Sequence, residues 1–129
     1  MFRTMMRVKI HGATLTGANL HYIGSLSLDA GIMDRLDLLP NEMVQVLNLN
    51  NGSRLTTYII PAEKGSGTVA LNGAAARLGQ PGDKVLIVAY ATMTDEEARS
   101  FHPQVALMNE RNQIVEVLQD SGVAATRRV

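Results

Sequence analysis

The chain has no cysteine, no tryptophan and few aromatic residues of any kind, 4% in all. The first absence excludes disulfides, cysteine nucleophiles and thiolate metal sites, and fits a cytoplasmic setting. The scarcity of aromatics leaves no platform on which nucleic-acid bases would stack. Excess charge is missing too: 12 basic residues balance 12 acidic ones, and the pI is near 6.8. Nucleic-acid and membrane-surface binders carry a basic patch or stripe, so neither partner is expected. No apolar run approaches the roughly 20 residues of a membrane span. The opening "MFRTMMRVKIHG" is interrupted by Arg3, Arg7 and Lys9 and lacks the apolar core and cleavage site of a signal peptide. His11, His21 and His102 have no tight carboxylate partners in the sequence, so no metal site is expected.

What is present is β-rich. The 129 residues, 46% hydrophobic, suit one domain spanning 1–129 with a real core. Alternation over Arg3 to Leu15 predicts a strand, followed by a turn at Thr16-Gly17-Ala18-Asn19 and a second strand from Leu20 to Leu28. Asp29 is placed to cap a short helix bearing Ile32, Met33, Leu36 and Leu39, which ends before Pro40. "MVQVLNL" and "RLTTYII" flank Asn50-Asn51-Gly52-Ser53, the strongest hairpin signal in the chain. "EKGSG" is a loop, "TVALN" a short strand, "GAAARL" one helical turn closed by Gly79, and "QPGD" a turn. "KVLIVAYATM" reads as a buried central strand. Thr94 and Glu97 have capping-box spacing. "HPQVALMN" and "QIVEVLQ" form a last hairpin around Glu110-Arg111-Asn112, before a small, polar tail, "SGVAATRRV", expected to be mobile. The fold class is mainly β with short helices, and the spacing of strands suggests a small barrel.

Gly-Ser occurs three times, at 24–25, 52–53 and 65–66. The last two fall in a turn and a loop, where glycine is expected. The first interrupts the predicted strand "LHYIGSLSLD". One reading is a β-bulge with a locally bonded serine hydroxyl, and pattern alone favours it. Another is backbone chemistry, in which the Ser25 hydroxyl attacks the Gly24 carbonyl. Glycine there removes a blocking side chain and permits unusual φ/ψ.

A set of ordered motifs bears on that choice. "RTM" at 3–5, Lys9 and His11 in "KIH", "LHYIGS" at 20–25, "NGSRLTTYII" at 51–60, "EKGSG" at 63–67, "NGAAA" at 72–76 and "YATMTDEEAR" at 90–99 together resemble the pyruvoyl-dependent aspartate 1-decarboxylases. The resemblance extends to about Arg111. The segment from about 112 to 129 matches nothing in that pattern, and Arg77 stands where relatives often carry histidine.

The resemblance implies a double-psi β-barrel assembled as a homotetramer with active sites between subunits. It implies a precursor that cleaves itself between Gly24 and Ser25, leaving residues 1–24 and 25–129. Ser25 becomes a pyruvoyl group, so neither pyridoxal phosphate nor a metal is needed. That ketone forms a Schiff base with L-aspartate, and loss of carbon dioxide gives β-alanine for pantothenate and coenzyme A synthesis. A protonated imine conjugated to an amide carbonyl accepts the electron pair left on Cα, as pyridoxal phosphate does elsewhere.

The resemblance also implies residue roles, each beside a plainer one. Thr57 is the oxyanion donor during cleavage and a substrate contact; otherwise it is a strand threonine. Tyr58 is the proton donor to Cα; otherwise it is a half-buried strand tyrosine. Lys9 and Arg54 bind the two carboxylates of aspartate, in an order left open; otherwise they are solvated surface charges. Asn72 positions the Gly24 carbonyl, and Gly73, Ala74 and Ala75 offer backbone N–H groups; the run is also a helix start with Asn72 as N-cap. His11 and Tyr22 border the site. Regular alternation puts Arg54, Thr56 and Tyr58 on one strand face and Thr57 on the other, which a bulge, a strand end or a pocket between subunits would reconcile. The competing class is a non-enzymatic β-barrel or swapped-hairpin regulator, disfavoured by the zero net charge.

Overall fold

The computed structural model describes residues 1–119; the expected mobile tail, 121–129, lies outside them. Nine strands, β1 (Phe2–Thr14), β2 (Gly17–Asn19), β3 (Ser25–Asp29), β4 (Met43–Asn48), β5 (Arg54–Ala62), β6 (Val69–Asn72), β7 (Lys84–Thr94), β8 (Gln104–Met108) and β9 (Ile114–Leu118), alternate with three short helical segments. Their spatial order is β2-β6-β3-β5-β4-β7-β1-β8-β9. The mainly-β architecture with short helices is as the sequence indicated.

The longest pairing is β1 against β7, antiparallel from Phe2 opposite Thr94 to Thr14 opposite Lys84, with shifts at Met6/Val8 and His11/Ala13. Gly12 sits in the second shift with φ 80°, a conformation that glycine adopts at no steric cost. The expected central strand is β7, flanked by β4 and β1. The Asn51-Gly52 turn joins β4 and β5, with Gly52 at φ 76°. β3 runs parallel to β5 and antiparallel to β6. One continuous core, including Ile10, Leu26, Leu28, Ile59, Leu71 and Ile87, lies beneath these strands.

The helices follow their caps. Asp29 caps α1 (Ala30–Leu36) through Gly31 N–H, and α1 buries Ile32, Met33 and Leu36. Thr94 and Glu97 close a complete capping box on α2 (Asp95–Ser100). "GAAARL" forms a 3₁₀ turn (Gly73–Leu78) rather than an α-helical one, and the Asn72 side chain does not cap it.

The predicted strand over 20–28 is too long. Only Ser25–Asp29 is β3; Gly17–Asn19, expected as a turn, is β2. Asn19 ends β2 by local turn chemistry: its Oδ1 accepts from His21 N–H and its carbonyl from Tyr22 N–H. Leu20, Tyr22 and Ile23 are then exposed, so their apolar character is not spent on this chain's own core. Gly24 lies at the junction of loop and strand, and β3 pairs with both neighbours without a register shift. The strand carries no bulge from Ser25 onward, while the other half of that reading holds: the Ser25 hydroxyl is bonded locally, to the Ile23 carbonyl. Beyond Arg111, Asn112 is buried and pins β1 to the Gly67 loop by accepting from Thr14 N–H and donating to the carbonyls of Thr14 and Gly67.

Candidate active site

The Gly24–Ser25 bond spans a sharp change of environment, from exposed Gly24 to fully buried Ser25. β6 supplies the partner. Ser25 faces Asn72 across the antiparallel register, and Asn72 Nδ2 donates to Ser25 Oγ at 2.9 Å. The same nitrogen donates to Ser27 Oγ at 2.8 Å. Ser25 Oγ donates in turn to the Ile23 carbonyl at 3.0 Å. Its proton is engaged there, and its lone pairs face an N–H donor.

Both Nδ2 protons of Asn72 go to serine hydroxyls. Through that nitrogen the carboxamide engages the Ser25 hydroxyl; the resemblance implies a contact with the Gly24 carbonyl. Gly24 itself departs from expectation. Its φ is not in the left-handed region, and a Cβ there would meet only the Asn72 carbonyl oxygen, at 3.9 Å. Gly73 is the strained position, with φ +63°, where a Cβ would lie 2.6 Å from Gly24 Cα and 3.0 Å from the Tyr22 carbonyl oxygen. The backbone of the "NGAAA" run is thus pressed directly against the bond in question. Ala74 is exposed and Ala75 half-buried beside it.

β5 provides the second flank. Its parallel register with β3 begins with Leu26 opposite Ile59; as Ser25 and Gly24 precede the paired stretch on β3, Tyr58 and Thr57 precede it on β5. Both are half-buried. The pairing of β5 with β4 has no register shift from Arg54 to Tyr58, so alternation holds and these two side chains leave opposite faces. Neither a bulge nor an irregular strand reconciles them within one chain. Arg54 is exposed at the start of β5, four residues from Tyr58, about 13 Å along the strand.

Lys9 and His11 are not on neighbouring strands. They lie on β1, separated from β3 by β7, β4 and β5 in the sheet order. Tyr22 contributes its backbone to the packing against Gly73, while its side chain is about half exposed. One chain therefore assembles Gly24, Ser25, Asn72 and Gly73, with Thr57 and Tyr58 on the adjoining strand, and leaves Lys9, His11 and Arg54 apart. Ser27 was not singled out from sequence. Its signal was the two-residue spacing from Ser25, which places both hydroxyls on one strand face.

The chemistry available is that of a serine next to a glycyl carbonyl, supplied with a donor at its oxygen. Ser25 is buried and its oxygen is hydrogen-bonded on both sides, to Asn72 and to the Ile23 carbonyl. Among the described residues no group of three or more His, Asp or Glu side chains converges as a metal site would.

Comparison with known proteins agrees with the motif pattern. The family model for aspartate decarboxylase matches residues 1–115. An aspartate 1-decarboxylase of Bacillus subtilis (strain 168) is 55% identical over 118 residues, covering 92% of this chain and 93% of the relative. Those of Bacillus cereus (strain B4264) and Bacillus licheniformis are 55% and 56% identical over the same coverage. A match across nearly the whole of both chains, with the Gly24-Ser25 junction and the "NGAAA" loop in contact, places this chain in the aspartate decarboxylase family.

Proposed function

We propose that this chain is a self-processing, pyruvoyl-dependent decarboxylase that converts L-aspartate to β-alanine and carbon dioxide. The observation that carries this is the buried Ser25 hydroxyl, hydrogen-bonded to Asn72 and Ile23 directly beside the Gly24 carbonyl. In maturation Oγ loses its proton and bonds to the Gly24 carbonyl carbon. The C–N bond breaks, the Ser25 nitrogen takes a proton, and an ester remains. β-Elimination from that ester frees the Gly24 carboxylate and leaves a dehydroalanine at position 25; water then hydrolyses its imine tautomer, releasing the Ser25 nitrogen as ammonia and leaving a pyruvoyl group. Thr57, on the strand that pairs with β3, is the donor to the developing oxyanion.

The pyruvoyl ketone supplies a covalent hold on the substrate amine and a sink for the electron pair. The remaining work belongs to side chains and backbone. Tyr58 delivers a proton to the substrate Cα. Lys9 and Arg54 hold the two carboxylates, and the Gly73–Ala75 backbone offers N–H groups with little bulk. His11 and Tyr22 border the pocket.

The reading extends to a homotetramer of double-psi β-barrels with sites between subunits. Three observations support it: three strands separate Lys9 and His11 from β3 in the sheet order, Thr57 and Tyr58 leave opposite faces of β5, and Leu20, Tyr22 and Ile23 are exposed beside the site. A second subunit covers those apolar side chains and supplies the missing cations. No helix among the described residues is long and apolar enough to cross a membrane; a cytoplasmic enzyme serving pantothenate and coenzyme A synthesis is the setting proposed.

Intact mass spectrometry is the decisive test. Two chains are expected, 1–24 and 25–129, the larger with a blocked N-terminus, together with carbon dioxide release from L-aspartate without added pyridoxal phosphate. Ser25→Ala is expected to remain one chain and to lose activity entirely. Decarboxylation by that variant would sink the proposal.

A further inference from the structure

Ser27 has no part in the roles above, yet it takes one of the two protons of the group that contacts Ser25. We propose that Ser27 is a positioning residue for maturation, anchoring the Asn72 carboxamide so that its other N–H stays on Ser25 Oγ. This rests on the reading of Gly24–Ser25 as a self-cleaving bond.

The geometry is simple. Ser25 and Ser27 are i and i+2 on β3, so both side chains stand on one face. Asn72 lies opposite Ser25 on β6 and spans the two hydroxyls with one nitrogen, at 2.9 and 2.8 Å. A carboxamide has nearly the same shape at its oxygen and nitrogen ends, and a turn about its last bond exchanges them. Neighbouring groups decide which end faces where. Ser25 already donates its proton to Ile23, so its oxygen calls for a donor, and Ser27 gives the second Nδ2 proton an acceptor on the same side.

Removing the Ser27 hydroxyl leaves that second proton without its partner in a residue only 5% exposed. Such an orphaned donor is costly, and rotating the amide relieves it. The rotated amide presents its oxygen to Ser25. The Ser25 proton then has a second acceptor, and Oγ loses its donor. As the proton leaves during attack, negative charge grows on Oγ, and a donor there stabilises it. The nucleophile is therefore weaker in the rotated state, while the fold is unchanged.

The test uses full-length precursor, purified cold, warmed, and followed by intact mass, with thermal melting in parallel. Ser27→Ala is expected to cleave about fivefold more slowly than wild type, the rate equivalent of one neutral hydrogen bond. Ser27→Thr, which keeps the hydroxyl, is expected within about twofold of wild type. Both are expected to melt within a few degrees of it. Wild type that cleaves while Ser27→Ala keeps pace overturns the role of Ser27 alone. An equal delay in Ser27→Thr does the same, because the hydroxyl is then not responsible. Wild type that never cleaves removes the self-processing reading and this role with it.

Discussion

At its Ser25 end, β3 holds a neutral hydroxyl by two neutral hydrogen bonds, to Asn72 and Ile23. Four residues on, about 13 Å along the strand, Asp29 holds a buried carboxylate with the N–H groups of Gly31 and Gly65 on one oxygen and Gly67 on the other. Charge-assisted bonds are roughly twice as strong as neutral ones. The Asp29 end is thus fixed, tying helix α1 and the "KGSG" loop to the strand. The Ser25 end is held by the weaker, neutral bonds, which suits the proposed role of its oxygen in maturation. Each end also has a glycine at positive φ in close contact: Gly73 against Gly24, and Gly67 against the Arg111 carbonyl, where a Cβ would come within 2.9 Å. A strand immobilised at one end can carry a reactive group at the other.

The largest effect expected on the fold separates the two glycines at the reactive end. Gly73→Ala must hold φ +63° and place a Cβ 2.6 Å from Gly24 Cα. The backbone conformation alone costs about 1–3 kcal/mol, and the contact is with backbone, which cannot swing aside. Gly24→Ala meets only an ordinary contact at 3.9 Å. Thermal melting is expected to show a large loss for Gly73→Ala and a shift of no more than a few degrees for Gly24→Ala. Equal losses would break the distinction between the glycine at the bond and the glycine that packs on it.

That distinction was not legible in the sequence. "LHYIGSLSLD" alternates like one strand, but periodicity does not tell apolar residues turned to a core from those turned outward. Leu20, Tyr22 and Ile23 are exposed in the single chain, and Asn19 ends the preceding strand by side-chain bonding that alternation does not register. Caps were readable because their signals are local: Asp29 before α1 and the Thr94/Glu97 pair on α2 both formed as spaced. So was the Asn51-Gly52 hairpin. The motifs named Ser25 and Asn72, yet they did not indicate the hydrogen bond between the two and passed over Ser27. Those facts depend on how β3 registers with β6 across 47 residues of sequence separation, which no local pattern encodes.

The next effect in size probes the fixed end. Burial raises the Asp29 carboxyl, but backbone donors from Gly67, Gly65, Gly31 and Ile32 outweigh it and hold the group below the usual carboxylate value. Asp29→Asn sets an amide N–H against a backbone donor and is expected to cost about 2–3 kcal/mol. The pH dependence has a definite sign. A carboxyl lowered in the folded state contributes stability that is fully present above its unfolded value, near 3.9, and is lost as pH falls through the folded value. The gap in melting temperature between wild type and Asp29→Asn should be widest near neutral pH and narrow below about pH 4. A gap that grows on acidification would mean that the anionic form of Asp29 does not hold the loop.

The smallest effect comes from a region remote from both ends of β3. Thr94 Oγ1 accepts from Glu97 N–H at 3.1 Å, and Glu97 Oε1 accepts from Thr94 N–H at 2.9 Å. Thr94→Ala removes half of this box, a change worth about 1 kcal/mol in most helices. α2 is short and largely exposed, burying only Ala98, so the loss should appear as a few degrees of melting temperature with no change in the rate of Gly24–Ser25 cleavage. It is the control for the Ser25 end, because it shows whether maturation follows global stability or local geometry. If Thr94→Ala delays cleavage as much as Ser27→Ala does, then the rate reports general loosening of the fold, and the specific hold on the Ser25 oxygen loses its support.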